Sequence, residues 1–285
     1  MNGSEQTDDR GRLTAEHGAL RRTVSVAGIV AAVVLSAACS SAADVVQSPR
    51  VSGDVRASQS PDADFLSEDG RMSVSQVRQM GVIIETPAAV IYTDPTGGGH
   101  AYAGHPAPDI VLVSHEHREN YDIETLGDLV GPDTLLVVPP LVLDSLPERL
   151  RESAVPLANG ERSESAGITI EAIPAYGLGG EAERWHPRGN GNGYVLTIGD
   201  RRVYVAGSTE AIPEMLALDD IYLALLPLYP PYALGPEEAV RAVSTVRPQY
   251  TYIYQYNSEG TRDDFVKAMD GAPTEMAIVA PQISS

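Results

Sequence analysis

Cysteine is almost absent from this chain of 285 residues, which contains a single one, Cys39. A lone cysteine excludes an internal disulfide, so another role must explain it. Basic residues are also scarce, since 20 Lys and Arg stand against 39 Asp and Glu, for a formal net charge of −19. Such an acidic chain repels phosphate backbones and anionic headgroups, which argues against nucleic acid as a partner. The acidity is typical of a solvated, soluble surface.

A long hydrophobic run is missing too. The apolar stretch Val24–Ala38 has 15 residues, whereas about 20 are needed to span a bilayer. It follows Arg21 and Arg22, which predicts a signal peptide over residues 1–38. The stretch ends in "LSAAC", which resembles a bacterial lipobox, so Cys39 is predicted to carry lipid and become the new N-terminus. The protein is then expected outside the cytoplasm, anchored to the outer face of the cell membrane.

Two points about this export signal stay open. The arginine pair suggests Tat export, but the residues that follow it fit that pathway poorly. The alternative to a lipoprotein is a short membrane anchor followed by a free, buried cysteine. Residues 39–71, which are rich in Ser, Ala and Asp and show no sustained period, are predicted to be the lipidated Cys and a flexible tether. Residues 72–285 are predicted to form one domain.

Many short apolar runs predict a chain dominated by β-strands. They fall in two groups with helices interspersed, which predicts an α/β fold of two sheets with helices outside. Asp122 is predicted to cap a helix over 123–130, and Thr261 to cap one that ends at Gly271. The predicted strands lie within 73–94 (three strands), 109–114, 134–139, 167–176, 193–199, 201–207, 221–227, 250–256 and 276–280, and a further helix covers 235–248.

The stretch "VLVSHEHRENYD" has the outline of a metal site. His115 and His117 directly follow a buried strand, and residues i and i+2 of an extended chain project to one side. Two imidazoles on one side can share a cation. An H-x-H pair alone is a weak signal, but the end of a buried strand is where open α/β folds place their sites.

Several segments together resemble the metallo-β-lactamase superfamily, a four-layer αββα sandwich with a two-metal site at its edge. Within it, the sequence is most similar to the branch of ascorbate-6-phosphate lactonase and N-acyl phosphatidylethanolamine phospholipase D. The likeness covers about 73–269. It is carried by "SHEHREN" and by "GVIIETPAAVIYTDPTGG", "WHPRGNGNGYVLTIGDRRVYVAGSTEAIPEM" and "DIYLALLPLYPPYALGPEEAVRAV".

The resemblance implies metal ligands that this chain only partly retains. The family motif H-x-H-x-D-H reads His115-Glu116-His117-Arg118-Glu119-Asn120 here, so two histidines stand, Glu119 replaces Asp and Asn120 replaces His. The Asp that bridges two metals in A-G-D-T is Ser208, and a late histidine falls at Gln255. The region of the third histidine contains Gly177, with His186 nearby. A two-metal centre needs a bridging carboxylate, which Ser208 does not provide.

Two hypotheses about function follow. In the first, the two-metal site is eroded, hydrolase activity is reduced or lost, and Asn120, Ser208 and Gln255 line a pocket that binds a ligand or partner. In the second, one zinc ion is held by His115 and His117 with Glu119 or His186, and Glu119 is a ligand or a base toward metal-bound water. The substrate would be a phosphoester, a lactone or a similar small molecule, as the resemblance implies. With no metal, these side chains would hydrogen-bond one another.

Other candidate sites are weaker. Ser208 is a poor serine nucleophile because no histidine follows it in the chain. His100 and His105 flank the "TGGGH" turn and are expected at the surface. Alternate tyrosines at 252, 254 and 256 are expected to form core or a pocket wall. A third interpretation makes the "YPPY" loop, residues 229–232, a docking point for a protein partner.

Overall fold

Two mixed β-sheets form the centre of the computed structural model, which describes residues 45–47, 63–78, 80–270 and 277–281. The first sheet has the order β2-β3-β4-β5-β6-β7-β8, and its strands are β2 Phe65–Leu66, β3 Ser73–Gln76, β4 Val82–Glu85, β5 Val90–Thr93, β6 Ile110–Leu112, β7 Leu135–Val138 and β8 Ala154–Pro156. The second has the order β1-β9-β10-β11-β12-β13-β14-β15, and its strands are β1 Val45–Gln47, β9 Arg162–Ser165, β10 Ile168–Ala175, β11 Gly191–Ile198, β12 Arg201–Val205, β13 Leu223–Leu228, β14 Tyr250–Tyr256 and β15 Ala277–Val279.

Helices connect the strands. They are α1 Ile123–Leu129, α2 Pro140–Ser145, α3 Glu148–Arg151, α4 Gly180–Trp185, α5 Pro213–Leu216, α6 Pro236–Val246 and α7 Glu259–Met269, with a short 3-10 turn at Gly99–Tyr102. Asp122 caps α1 as predicted, because its carboxylate accepts from the amides of Glu124 and Thr125. The predicted cap of α7 at Thr261 is wrong. The Ser258 side chain accepts from the Thr261 amide, so α7 begins at Glu259.

The core is divided into three layers of apolar side chains. The central layer lies between the sheets, and Val74, Ile91, Leu196 and Leu225 belong to it. The outer face of the first sheet packs under α1, α2 and α3 through Leu126, Val142 and Leu150. The outer face of the second sheet packs under α5, α6 and α7 through Met215, Ala239 and Phe265. The arrangement confirms the predicted α/β class and its four-layer αββα sandwich.

The folded part begins earlier than the predicted boundary at Met72. Phe65 is 5% exposed and pairs with Val74 of β3, so residues assigned to the tether complete the first sheet. The Asp64 carboxylate accepts from the Tyr252 hydroxyl at 2.9 Å, which joins this segment to the second sheet. The strand Val45–Gln47 also pairs in parallel with β9. The predicted tether, residues 39–71, therefore contains two short strands that its composition did not indicate.

The predicted signal peptide and Cys39 lie outside the described residues. Within the part of the chain that the structure describes, no helix combines the length and the apolar character needed to cross a membrane.

Candidate metal site

Three histidines converge at the carboxyl-terminal edge of the first sheet. His115 and His117 lie in the loop that follows β6, and His186 is the residue directly after α4. One ring nitrogen from each lies within 4.8 Å of the other two. His115 is buried, whereas His117 and His186 are partly exposed. A strand end and a helix end thus bring together residues that are about 70 positions apart in sequence.

His115 is oriented by the residue before it. Its Nδ1 lies 2.9 Å from the Ser114 hydroxyl, which in turn donates to Asp94 Oδ2 at 2.7 Å. Since that hydroxyl proton goes to the carboxylate, the serine oxygen accepts from Nδ1–H of His115. The network therefore leaves the lone pair on Nε2 of His115, which lies 3.1 Å from Nδ1 of His117.

His186 is fixed in a similar way from the opposite side. Its Nδ1 donates to the main-chain carbonyl of Tyr232 at 2.9 Å, so its Nε2 carries the lone pair. Its main chain is held as well, because its carbonyl accepts from the Gly177 amide at 2.9 Å. A Cβ at Gly177 would lie 2.1 Å from the carbonyl carbon of Ala182 in α4. Glycine at 177 therefore allows α4 to pack closely against the backbone at this position, which places His186 beside the other two histidines.

Burial keeps the imidazoles of His115 and His186 neutral. It lowers the pKa of His115 well below the usual value, with His186 and His117 adding to the effect. It also lowers the pKa of His186 to about 4, with a further contribution from His117, while the bond to Tyr232 opposes the shift. A neutral imidazole is the form that binds a metal.

The donor set fits one metal ion. Two imidazole nitrogens bound to one tetrahedral zinc at about 2.0–2.1 Å would be about 3.3 Å apart, close to the His115–His117 separation. Three nitrogen ligands are sufficient for a catalytic zinc site with a fourth position for water. Nδ1 of His115 hydrogen-bonds to the Ser114 hydroxyl, and Nδ1 of His186 hydrogen-bonds to the Tyr232 carbonyl. Hydrogen bonds of this kind, at the ring nitrogen that does not bind the metal, orient metal-binding histidines.

Asp94 anchors the loop that carries His115 and His117. Its carboxylate accepts from the amide and hydroxyl of Ser114 and, at 2.9 Å, from the Asn120 side chain. Burial raises the pKa of Asp94 to about 6, and the bonds from Asn120 and Ser114 oppose the rise. The Asn120 amide also donates to the Ser114 hydroxyl at 3.2 Å. Asn120 is thus directed into this buried network.

The other predicted site residues lie in different surroundings. Glu119 is exposed, and among the described residues it belongs to no cluster able to hold a metal, so its predicted role as a ligand beside His115 and His117 is not supported. Ser208 is buried and lines a small cavity with His115 and His186. Gln255 is buried at the end of β14, and its Oε1 has no hydrogen-bond partner in the described part of the chain. His100 is exposed.

Sequence reasoning missed three contributors to this site. Asp94 and Ser114 were quoted only within longer motifs, and no role was predicted for Trp185. The Trp185 indole lies edge-on to His117, with 5.7 Å between the ring centroids. The "YTDP" turn and the serine directly before "HEH" were the signals that could have indicated the Asp94–Ser114 pair.

The fold and this site agree with a comparison against protein families. Residues 76–253 match the family described as the beta-lactamase superfamily domain. The chain belongs to this superfamily. The match begins in β3 and ends in β14, and it includes all three histidines of the site.

Relatives within the superfamily are metal-dependent hydrolases. A UPF0173 metal-dependent hydrolase of Pelotomaculum thermopropionicum is 28% identical over 228 residues, which cover 74% of this chain and 97% of the relative. A metal-dependent hydrolase of Parabacteroides distasonis, solved as a crystal structure, is 27% identical with a TM-score of 0.67, covering 77% of this chain and 97% of that one.

More distant structures share the fold alone. The metallo hydrolase Igni18 of Ignicoccus hospitalis is 16% identical with a TM-score of 0.62, over 75% of this chain and 96% of that one. This chain therefore has the fold of the metal-dependent hydrolases that it is similar to, and it carries three histidines that could hold a metal ion.

Proposed function

We propose that the protein is a hydrolase that works with one metal ion held by His115, His117 and His186. The observation that carries this proposal is the convergence of three imidazoles, one nitrogen of each within 4.8 Å of the others. The proposal follows the second of the two hypotheses drawn from the sequence, and of the two alternative third ligands it takes His186. It keeps from the first hypothesis the loss of a second metal.

A zinc ion bound by three histidines would supply a water whose pKa is lowered to about 7, a nucleophile available at neutral pH. The protein's own contribution is orientation. Asp94 and Ser114 hold His115 in one tautomer, and the Tyr232 carbonyl does the same for His186. Because burial keeps His115 and His186 unprotonated, protons compete weakly for the nitrogens of these two residues.

One ion is proposed because the residues at the other ligand positions are neutral or remote. Asn120 donates to Asp94 and Ser114, so its amide is engaged inside the fold. Ser208 offers a neutral hydroxyl where the family motif has a bridging carboxylate, and two metals need that charge. Glu119 is exposed. The proposed substrate class, small esters, lactones or phosphoesters, rests on the superfamily resemblance.

The metal content of the full-length protein tests the proposal. The wild type, His115→Ala, His186→Ala and the control His100→Ala are loaded with zinc, dialysed and analysed by plasma mass spectrometry. We expect one zinc per wild-type and control chain, and less than about a tenth of that in the two site variants, since each loses one of three ligands.

The same measurement separates the rival hypotheses. Two zinc ions per chain would overturn the single-metal proposal. A wild type that takes up no zinc would favour the eroded, ligand-binding alternative. A panel of lactones, carboxylic esters and phosphoesters, assayed with the zinc-loaded wild type, then identifies which linkage is hydrolysed.

We also propose that the protein is a lipoprotein attached through Cys39 to the outer face of the cell membrane. The support comes from the sequence "LSAAC" after an apolar run too short to span a bilayer. Metabolic labelling with an alkyne-bearing fatty acid tests it. Label is expected on the wild type and absent from Cys39→Ser, and label retained by Cys39→Ser would contradict the proposal.

A further inference from the structure

An exposed aromatic surface adjoins the three histidines. Trp185 is 48% exposed and Tyr232 is 36% exposed, and Tyr229, which is partly buried, lies beside Tyr232 with 6.0 Å between ring centroids. We refer to these three side chains as the aromatic wall. Large apolar side chains are otherwise buried through most of the described chain. An exposed aromatic group that borders a site indicates a binding surface.

The wall is held in place by contacts within the protein. The Trp185 indole N–H donates to Glu181 Oε2 at 3.1 Å. The same ring lies edge-on to Tyr232, at 6.2 Å and 88°. Aromatic side chains fixed in this way offer contact area at a small cost in conformational entropy.

The aromatic wall is joined to the proposed metal ligands by sequence adjacency and by direct contacts. Trp185 directly precedes His186 and contacts the ring of His117. Tyr232 supplies the carbonyl that accepts from His186 Nδ1. A group resting on the wall is therefore adjacent to the atoms that would hold the metal.

A small cavity lies beside Trp185, His115 and His186. Its lining contains one carboxylate, Glu116, and no lysine or arginine: the residues are His115, Glu116, Ala175, Trp185, His186, Asn190, Gly191 and Ser208. Two nearby arginines are paired, Arg184 with Glu181 at 3.5 Å and Arg188 with Glu214 at 2.5 Å. Apart from a metal ion on the histidines, the lining offers no positive charge, which favours an uncharged group of the ligand beside Trp185.

We infer that the aromatic wall binds a planar, uncharged group of the substrate, so that the substrate is an ester, a lactone or a phosphoester bearing an aromatic group next to the scissile bond. The inference rests on the proposed function and narrows its substrate class to compounds that carry an aromatic group. Hydrolysis of such an ester or lactone breaks the acyl C–O bond, adds the hydroxyl of water to the acyl carbon and gives a proton to the leaving oxygen. For a phosphoester, the P–O bond breaks and the hydroxyl of water is added to phosphorus. No other reactant is needed.

Binding of non-hydrolysable probes to the full-length, metal-free protein tests the inference by saturation-transfer NMR. Acetophenone presents a planar ring beside a carbonyl, tert-butyl methyl ketone replaces the ring by an aliphatic group, and phenylphosphonate adds negative charge. We expect acetophenone to bind most tightly. Trp185→Ala should raise its Kd about tenfold or more, because stacking and ring burial together contribute over 1.4 kcal/mol.

Two control variants accompany the test. Trp185→Phe keeps a ring and should retain most of the affinity, and Leu66→Ala removes an exposed apolar side chain outside the site and should change nothing. Zinc stoichiometry, measured on each variant, reports whether the histidine cluster is intact.

The inference fails if acetophenone does not bind, if Trp185→Ala binds it as tightly as the wild type, or if phenylphosphonate binds more tightly than acetophenone. Acetophenone binding that depends on Trp185 in a protein that takes up no zinc would refute the proposed function while supporting the wall. Zinc uptake without acetophenone binding would refute the inference about the aromatic wall but not the proposed function.

Discussion

The Ser114 hydroxyl lies between the carboxylate of Asp94, at 2.7 Å, and the imidazole of His115, at 2.9 Å. One side chain thus links a buried charge to a proposed metal ligand. Ser114 is buried, so its substitution removes these hydrogen bonds without changing any of the three proposed metal ligands.

Replacing this hydroxyl tests the link. In Ser114→Ala, Asp94 loses a donor and His115 Nδ1 loses its acceptor, so we expect about 1–3 kcal/mol of lost stability. Zinc affinity should fall about ten- to a hundredfold, as is typical when a partner of a metal-binding histidine is removed. Urea unfolding and competition with a zinc chelator measure the two effects. Unchanged zinc affinity would contradict the orienting role.

Asn120 and Glu119 are adjacent in sequence but lie in opposite environments. Asn120→Ala should lose about 1–3 kcal/mol of stability, because it removes a buried donor to Asp94. Glu119→Ala should stay within about 0.5 kcal/mol of the wild type, because the side chain is exposed. Chemical denaturation of both variants measures the difference. Equal losses would mean that the Asn120 network has no special stabilising role.

Gly177 is expected to tolerate no side chain. In Gly177→Ala the new methyl would lie 2.1 Å from Ala182 of α4, so the helix that carries His186 must move. We expect about 1–3 kcal/mol of destabilisation and weaker zinc binding. Gly179→Ala is the matched control, since no heavy atom lies within 4 Å of its Cβ position. Wild-type zinc affinity in Gly177→Ala would show that α4 can retreat without displacing His186.

The pair formed by Asp69 and Arg201 predicts a pH effect far from the histidines. Hydrogen bonds from Ser67, Arg201 and the Arg71 amide lower the pKa of Asp69 from 3.8 to about 2. The folded state therefore binds this proton less readily than the unfolded chain does. The stabilisation is fully present above pH 3.8 and is lost as the pH falls toward 2.

Thermal melts of the wild type and Asp69→Asn at several pH values check this expectation. The wild type should have the higher Tm at pH 7, and the difference should shrink as the pH falls from about 5 to 2. Arg262→Gln serves as a comparison, because Arg262 pairs with the exposed Asp263 at another place on the surface. A difference in Tm between the wild type and Asp69→Asn that stays constant at every pH would mean that ionisation of Asp69 does not stabilise the fold.

Most of the fold could be predicted because its strands carry strong local patterns. The runs that became β6, β7 and β13 are continuously apolar, as strands buried on both faces are. Phe65–Leu66 has two residues and no pattern, so its place in the first sheet depends on contacts with β3. The short helix α4 begins at Gly180 with no side-chain cap, so its start lacked the usual signal.

The histidines of the site could be named from sequence, whereas the network behind them could not. His115, His117 and His186 fall in recognisable motifs. The contact between Asp94 and Ser114 depends on the parallel register of β5 and β6, in which Thr93 pairs with Leu112. A register of this kind is fixed by tertiary packing across 20 residues and leaves little trace in either segment. The exposure of Glu119 was likewise decided by the path of the loop.

The contact between Trp185 and His117 has a practical consequence. Trp185 is the only tryptophan in the chain, so the indole emission of the whole protein originates beside the three histidines. A metal ion, a proton or an aromatic ligand arriving there changes the surroundings of that one fluorophore. The unlabelled protein therefore carries its own optical reporter of site occupancy, without background from other tryptophans.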